Sequence, residues 1–271
     1  GEGHSNPNSK SHGGRAVGLR AQDTTGLLIQ GLQATGQVGG VSGAAGQNTL
    51  TTGGLATALW LDACESCTIS GLSATGLTGG AGGGVANNTA SYTPSIGGNA
   101  AGAYVTGQGS GSVTGITLSN LTGGSGGPHV VQGGHHRGQV GGWAAGVYAA
   151  GGSAAYLFEG TITNLQGGAH TMAAGGDQVT YGVYLEKDSL HHDLSGLSFN
   201  GHSIVTVVGE AGLTLSGLDL TANQNPTNWG KLLIADSTDI TVSNSELAFF
   251  TGARGNTASY NEFGVPGRGG E

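Results

Sequence analysis

Cys64 and Cys67, set as Cys-x-x-Cys, are the only two cysteines in the chain. A pair at this spacing works as a redox couple in a βαβ setting, as half of a zinc site when a second pair exists, or as a local disulfide. Neither a βαβ pattern nor a second pair is present, which leaves a packed thiol pair or a turn disulfide. A reactive thiolate would want an exposed, electropositive setting. Four histidines, His129, His135, His136 and His170, fall in glycine-rich stretches of neighbouring units, with Arg137 and Asp177 close by in sequence. Imidazoles gathered on one edge could take up a transition metal or respond to mild acid. None of them has the fixed spacing of a metal-binding helix or knuckle, so no metal and no cofactor is assigned. Glycoside hydrolysis needs two carboxylates within about 10 Å. Asp23, Asp62, Glu65, Glu159, Asp177, Glu186, Asp188, Asp193, Glu210, Asp219, Asp236, Asp239 and Glu246 are scattered instead. They read as solvated turn residues, and no catalytic residue is assigned.

These residues sit in an unusual chain. Of 271 residues, 58 are Gly, only 5 are Pro and 9% are charged. Without a three-residue period or a high proline count, the glycine excess is not collagen. Low charge with recurring Val, Ile, Leu and Tyr argues against a disordered chain. The formal charge is −8 and no Lys or Arg run could neutralise a row of phosphates, so nucleic acid is not an expected partner. No apolar run approaches the roughly 18 residues of a membrane span, and no signal-peptide pattern is visible. The start at Gly1 reads as a processed product or an excerpt.

The positioning elements come from a repeat. Ala16–Gly36 lies on Ala56–Gly76 without a gap, both ending in Ala-Thr-Gly. Units are expected to start near Ala16, Ala56, Ala101, Ala145, Tyr181, His202 and Trp229. Each opens on a short strand (VGLRA, ALWLD, GAYVT, GVYAA, GVYLE, IVTVV, KLLIA). After a turn, a second strand alternates apolar and polar: Leu27 and Ile29, Cys67 and Ile69, Leu213 and Leu215, Ile240 and Val242. Period two means one buried face and one wet face. Thr68, Ser70, Thr117, Ser119, Thr161, Thr163, Thr214, Ser216, Thr241 and Ser243 therefore point outward. Such a Thr-x-Ser ladder is similar to the ice-contact face of some β-helical antifreeze proteins, although ordinary β-propensity explains it. A third column is read at Leu32, Leu72, Leu121, Leu165, Leu197 and Leu218.

A rung of three short strands and three turns takes about 20 residues. The longer early intervals therefore carry inserts: GQVGGVSGAAGQNTLTTGG, GLTGGAGGGVANNTASYTPSIGG, GGSGGPHVVQGGHHRGQVGG and GGAHTMAAGGDQ. All leave the coil just after the Leu column and so share one edge. Residues 1–14 read as a polar N-terminal tail, 15–250 as the repeat domain, and 251–271 as a C-terminal tail or cap, with Phe249-Phe250 covering the open end. In this register Cys67 and His192 occupy a buried column, which sets aside a catalytic reading of His191-His192-Asp193. Tyr104, Tyr148 and Tyr184 recur at one position and are expected to stack for packing. The direction of Trp60 is left open. Trp143, flanked by glycines, has the exposure a contact would use.

The stretches GVYLEKDSLHHDLSGLSFNG and LLIADSTDITVSNSEL resemble the right-handed parallel β-helix repeat family, the superfamily of pectate-lyase-like folds. The glycine-rich inserts are similar to those of large bacterial surface and secreted β-helix proteins. This resemblance implies secretion or surface display, and contact with carbohydrate. The fold expected is all-β: a right-handed parallel β-helix, or solenoid, of about seven rungs with Gly-rich inserts on one edge of the first four. The function expected is a non-catalytic, extracellular or cell-surface structural or adhesive module, self-associating into an oligomer or filament. Its partners would be copies of itself, surface carbohydrate or another surface protein, and its interaction edge would comprise Trp143, His129, His135, His136, Arg137 and His170. The alternative is a carbohydrate-active β-helix enzyme, a polysaccharide lyase or glycoside hydrolase.

Overall fold

The computed structural model describes residues 11–43, 51–83, 95–127, 130–132, 135–137, 140–151, 154–169, 180–186, 192–200, 204–216, 218, 220 and 232–246. These residues form an all-β parallel solenoid of about four turns, without a helix. One sheet takes the first strand of each unit: Ala16–Thr25, Ala56–Glu65, Ala100–Thr106, Ala144–Ala150, Thr180–Glu186, Ile204–Val208 and Leu232–Ala235. A second sheet stacks Leu28–Gln30, Cys67–Ser70, Gly109–Thr122, Ala154–Gln166 and Asp193–Asn200. A third, narrow sheet joins Ser11–His12, Thr51–Thr52 and Ser95–Ile96. The pairing within all three is parallel.

The core is a set of like-on-like columns. Leu19, Leu59, Ala103, Val147, Val183, Val205 and Leu232 lie in one register, and Ala21, Leu61, Val105, Ala149, Leu185, Val207 and Ile234 in the next inward one. The second sheet adds Ile29, Ile69, Val113 and Phe158. Interior members of all three columns are buried, so each rung hides its apolar face against its neighbours as a stacked repeat must. Corners repeat too. Asp23, Ala63, Gly107, Gly151, Gly209 and Asp236 turn the chain at one position, all with positive φ (49° to 76°). At another corner Asn120 and Asn164 share positive φ, and the Asn164 amide donates to the Asn120 side-chain oxygen (3.5 Å).

Two details of the sequence register are corrected. The third, fourth and fifth units begin at Ala100, Ala144 and Thr180, each one residue earlier than expected. The single Leu column is two columns. Leu72 pairs with Ile116, whereas Leu121 stacks between Leu77 and Leu165. Ile116 and Gly160 stand where a Leu was sought, and a register shift after Val113 displaces the alignment.

The bases of the expected inserts are built into the stack. The chain passes this seam twice per turn, each time as a Gly-Gly pair: 13–14, 39–40, 53–54, 79–80, 97–98, 123–124, 141–142 and 167–168. The N–H groups of Gly40, Gly54, Gly80, Gly98, Gly124, Gly142 and Gly168 donate in series to the carbonyls of Gly14, Gly40, Gly54, Gly80, Gly98, Gly124 and Gly142 (2.6–2.9 Å). A Cβ at thirteen of these sixteen positions would meet backbone. At Gly53, Gly79, Gly97 and Gly123 it would lie 1.9–2.1 Å from a neighbouring glycine carbonyl oxygen, and at Gly54, Gly80, Gly98 and Gly142 likewise. Serines line the seam: the Ser95 hydroxyl donates to the Gly83 carbonyl (2.6 Å), and Ser42 Oγ accepts from the Gly83 N–H (2.5 Å).

This geometry separates two classes of glycine. Gly36 needs a positive φ (63°) but has open space around its Cβ position, so Gly36→Ala should cost about 1–2 kcal/mol. At Gly98 the added Cβ would sit 2.1 Å from the Gly54 oxygen, and Gly98→Ala should cost more than about 3 kcal/mol or yield no folded protein. Urea unfolding of both variants checks the order, and equal losses would contradict it.

Candidate functional site

The first sheet's outer face carries the densest side-chain organisation. Strand register places Arg20, Trp60, Tyr104, Tyr148 and Tyr184 side by side. Tyr104, Tyr148 and Tyr184 stack nearly parallel at centroid spacings of 4.9 and 5.1 Å, and Trp60 meets Tyr104 edge-on at 5.2 Å. The spacing is set by the sheet: neighbouring strands run about 4.8 Å apart, close to the separation of stacked rings. Trp143 stacks on Tyr148 from the preceding bend at 4.7 Å, and Tyr181 packs edge-on against Tyr184 at 4.8 Å.

Polar groups fasten both ends of the row. The guanidinium groups of Arg15 and Arg20 lie over the Trp60 ring, 4.8 and 4.4 Å from its centroid. Arg20 also pairs with Asp62 (2.9 Å). The Trp60 indole N–H donates to Thr106 Oγ1 (3.0 Å), and the Thr106 hydroxyl donates to Asp62 (3.1 Å). At the other end the Tyr184 hydroxyl donates to Glu186 (3.1 Å). Trp60, left open by its sequence context, thus faces outward and is covered by its neighbours. Burial pushes the Tyr148 phenol up to about 12 and raises Tyr104 and Tyr181 as well. For Tyr184, burial comes first and the bond to Glu186 second, both raising it. At neutral pH the row is a line of neutral hydroxyls, unfit as bases or nucleophiles.

Beside Trp60 and Tyr104 runs a groove of about 260 Å³, floored by Gly13, Gly53 and Gly54 and lined by His12, Arg15, Thr52, Leu55 and Asn99. Asn99 spends its side-chain oxygen on the Trp143 N–H (3.1 Å).

The remaining chemical candidates are spent on structure or lie elsewhere. Cys64 and Cys67 are joined in a disulfide, and Cys67 is fully buried. His192 is buried on the Cys67 column, where its Nδ1 accepts the Tyr156 N–H (3.1 Å) and its ring packs on Phe158. Gly111 leaves that column empty in the rung between, and Tyr156 fills it, its hydroxyl donating to the Cys64 carbonyl. Among the described residues no group of three His, Cys, Asp or Glu could hold a metal ion. Of the expected interaction edge, Trp143 is half-buried in the aromatic row, less exposed than its glycine flanks implied. His135, His136 and Arg137 form one strand of a two-stranded antiparallel hairpin with Val130–Gln132. His129 and His170 lie outside the described residues. Arg20 falls on Trp60 in the 40-residue repeat, whereas Arg15 precedes the repeat and reaches Trp60 only across the stack, so its place over the ring had no sequence signal.

No family model, no curated protein and no solved structure matches the chain.

The tyrosine row makes a pH-dependent contribution. Its phenols hold their protons more tightly in the folded state, above the ordinary value of 10.0. Stability from this row is therefore full below about pH 10 and is lost as pH rises through about 12. Following tyrosinate absorbance, native protein should ionise in steps with Tyr148 and Tyr184 last, while urea-unfolded chain should ionise together near 10. Coincident native and unfolded titrations would contradict the stacked row.

Proposed function

We propose that this chain is a non-catalytic, extracellular or cell-surface structural or adhesive module that associates with copies of itself. The observation that carries this reading is the use of its reactive groups. Where described, the cysteines, His192, Arg20, Asp62 and Glu186 are each engaged in holding one rung to itself or to the next. The disulfide supports an oxidising compartment. In this reading the coil is a right-handed β-helix of the pectate-lyase-like kind with seven rungs, and Gly-rich inserts decorate one edge of the first four. The groove beside Arg15 is the place where surface carbohydrate or another surface protein would touch. The alternative, a polysaccharide lyase or glycoside hydrolase, has Arg20 and Asp62 as its nearest candidates. Those two are engaged with one another in an ion pair, and among the described residues no second carboxylate joins them as glycoside hydrolysis would need.

Sedimentation over a wide concentration range should show reversible growth from monomer to larger species. Incubation with neutral and acidic polysaccharides should release neither reducing ends nor unsaturated products. A clean monomer at high concentration, or turnover of any polymer, would sink this reading.

A further inference from the structure

Resting on that self-association, we propose that copies join head to tail by continuing the solenoid. The edge formed by Leu232–Ala235 and Thr241–Ser243 would pair with the edge formed by Ala16–Thr25 and Leu28–Gln30 of a second copy. Among the described residues no strand lies beyond either edge.

The two edges have the same outline. Leu19, Asp23, Gly26 and Gly31 of the first turn correspond, at one constant offset along the chain, to Leu232, Asp236, Asp239 and Asn244 of the last. The corners match: φ is 49° and 49°, 68° and 54°, 68° and 50°. Between neighbouring turns inside the fold the same correspondence holds, Asp23 over Ala63 and Gly26 over Ser66. A last turn of one copy can therefore receive a first turn of the next as an interior turn receives its neighbour.

Hydrogen-bond polarity agrees. Inside the fold the Thr68 N–H donates to the Leu27 carbonyl (2.7 Å) and the Thr241 N–H to the Leu213 carbonyl (2.9 Å). Because a trans peptide sets its C=O and N–H on opposite sides, the Leu28 N–H points to the first open edge and the Ile240 C=O to the last. They are the donor and acceptor of the next bond in the same series.

The core columns also run out at both edges. Leu27 and Ile29 are half-buried where Cys67 and Ile69 are fully buried; Ile234 and Val242 stand 38% and 40% exposed where Val207 and Leu215 are fully buried. Continuation would set Ile234 on Ala21, Ile240 on Leu27 and Val242 on Ile29. It would also set Asp236 against Asp23. One exposed like-charge pair opposes association by less than three apolar pairs favour it.

The test uses one blocked end at a time, by sedimentation of the full chain. Leu28→Pro removes the outward N–H from an edge position where proline is tolerated, and Val242→Lys places a charge over the opposite edge. Each variant alone should stay monomeric, retaining the wild-type circular dichroism and melting temperature within a few degrees. Mixed in equal amounts they should form a dimer and stop there, since each supplies one intact end. Asp236→Asn should tighten wild-type association several-fold. If wild type associates and Val242→Lys associates equally well, copies meet through another face: this inference falls and self-association stands. If wild type stays monomeric at every concentration, both fall.

Discussion

The structure depends on the closeness with which backbone meets backbone along the glycine seam. A side chain of any size holds neighbouring chains apart, whereas here carbonyl oxygens of one Gly-Gly pair occupy the space where a Cβ of another would be, at 1.8–2.1 Å. That approach lets the outgoing and returning segments of successive turns share one hydrogen-bond series from Gly14 to Gly168. The conformational entropy lost in ordering so much glycine is high. It is offset by a series in which each pair donates an N–H to a carbonyl of the one before it, and no side-chain freedom is lost. The seam thereby fixes where each turn ends and the next begins, and the first sheet inherits its register from it.

The other faces follow from that register. Strands stacked at sheet spacing bring like positions into contact, so an inward position becomes an apolar column and an outward one a row. The row from Trp60 to Tyr184 shows what this does for aromatic residues. Each ring finds a parallel neighbour at about 5 Å, and its hydroxyl remains at the surface with its proton held by burial. The same principle explains Tyr156. A glycine at Gly111 leaves one place in a column empty, and a long side chain from the next turn fills it and bonds two turns away. Chemistry-bearing residues have become structural by being repeated, paired or buried.

Reading the sequence located most of the columns and few of the contacts. The alternation of Leu27 and Ile29, Cys67 and Ile69 marked the buried face. His192 shares the Cys67 column although its unit, from Thr180, is one residue longer up to that point, and the expected start at Tyr181 offset the extra residue. Leu121 and Leu165 fall outside the Leu72 column because a Leu recurs after the next corner of the same turn, as in Gly76-Leu77, Asn120-Leu121 and Asn164-Leu165, and only pairing with Leu72 or Leu77 distinguishes the two. The Gly-Gly pairs were visible as letters, but as roots of decoration. Their role as a seam depends on which backbone atoms they approach, and glycine carries no side-chain signature of its neighbours.

By itself, the sequence determined that the chain is a repeat of short strands with one apolar face. It also determined that tyrosines recur in register and that no run of charge or membrane-length apolar segment is present. These are periodic properties, and a period survives in one dimension. Tertiary structure decided the rest: that the cysteines are bonded, that Trp60 lies beneath two guanidinium groups, that Arg20 is spent on Asp62, and that eight glycine pairs form one hydrogen-bonded seam. Each of these depends on distances between residues from about half a turn to a full turn apart, or on the choice between two conformations of a short turn. Such choices are made by packing, and local sequence carries no record of them.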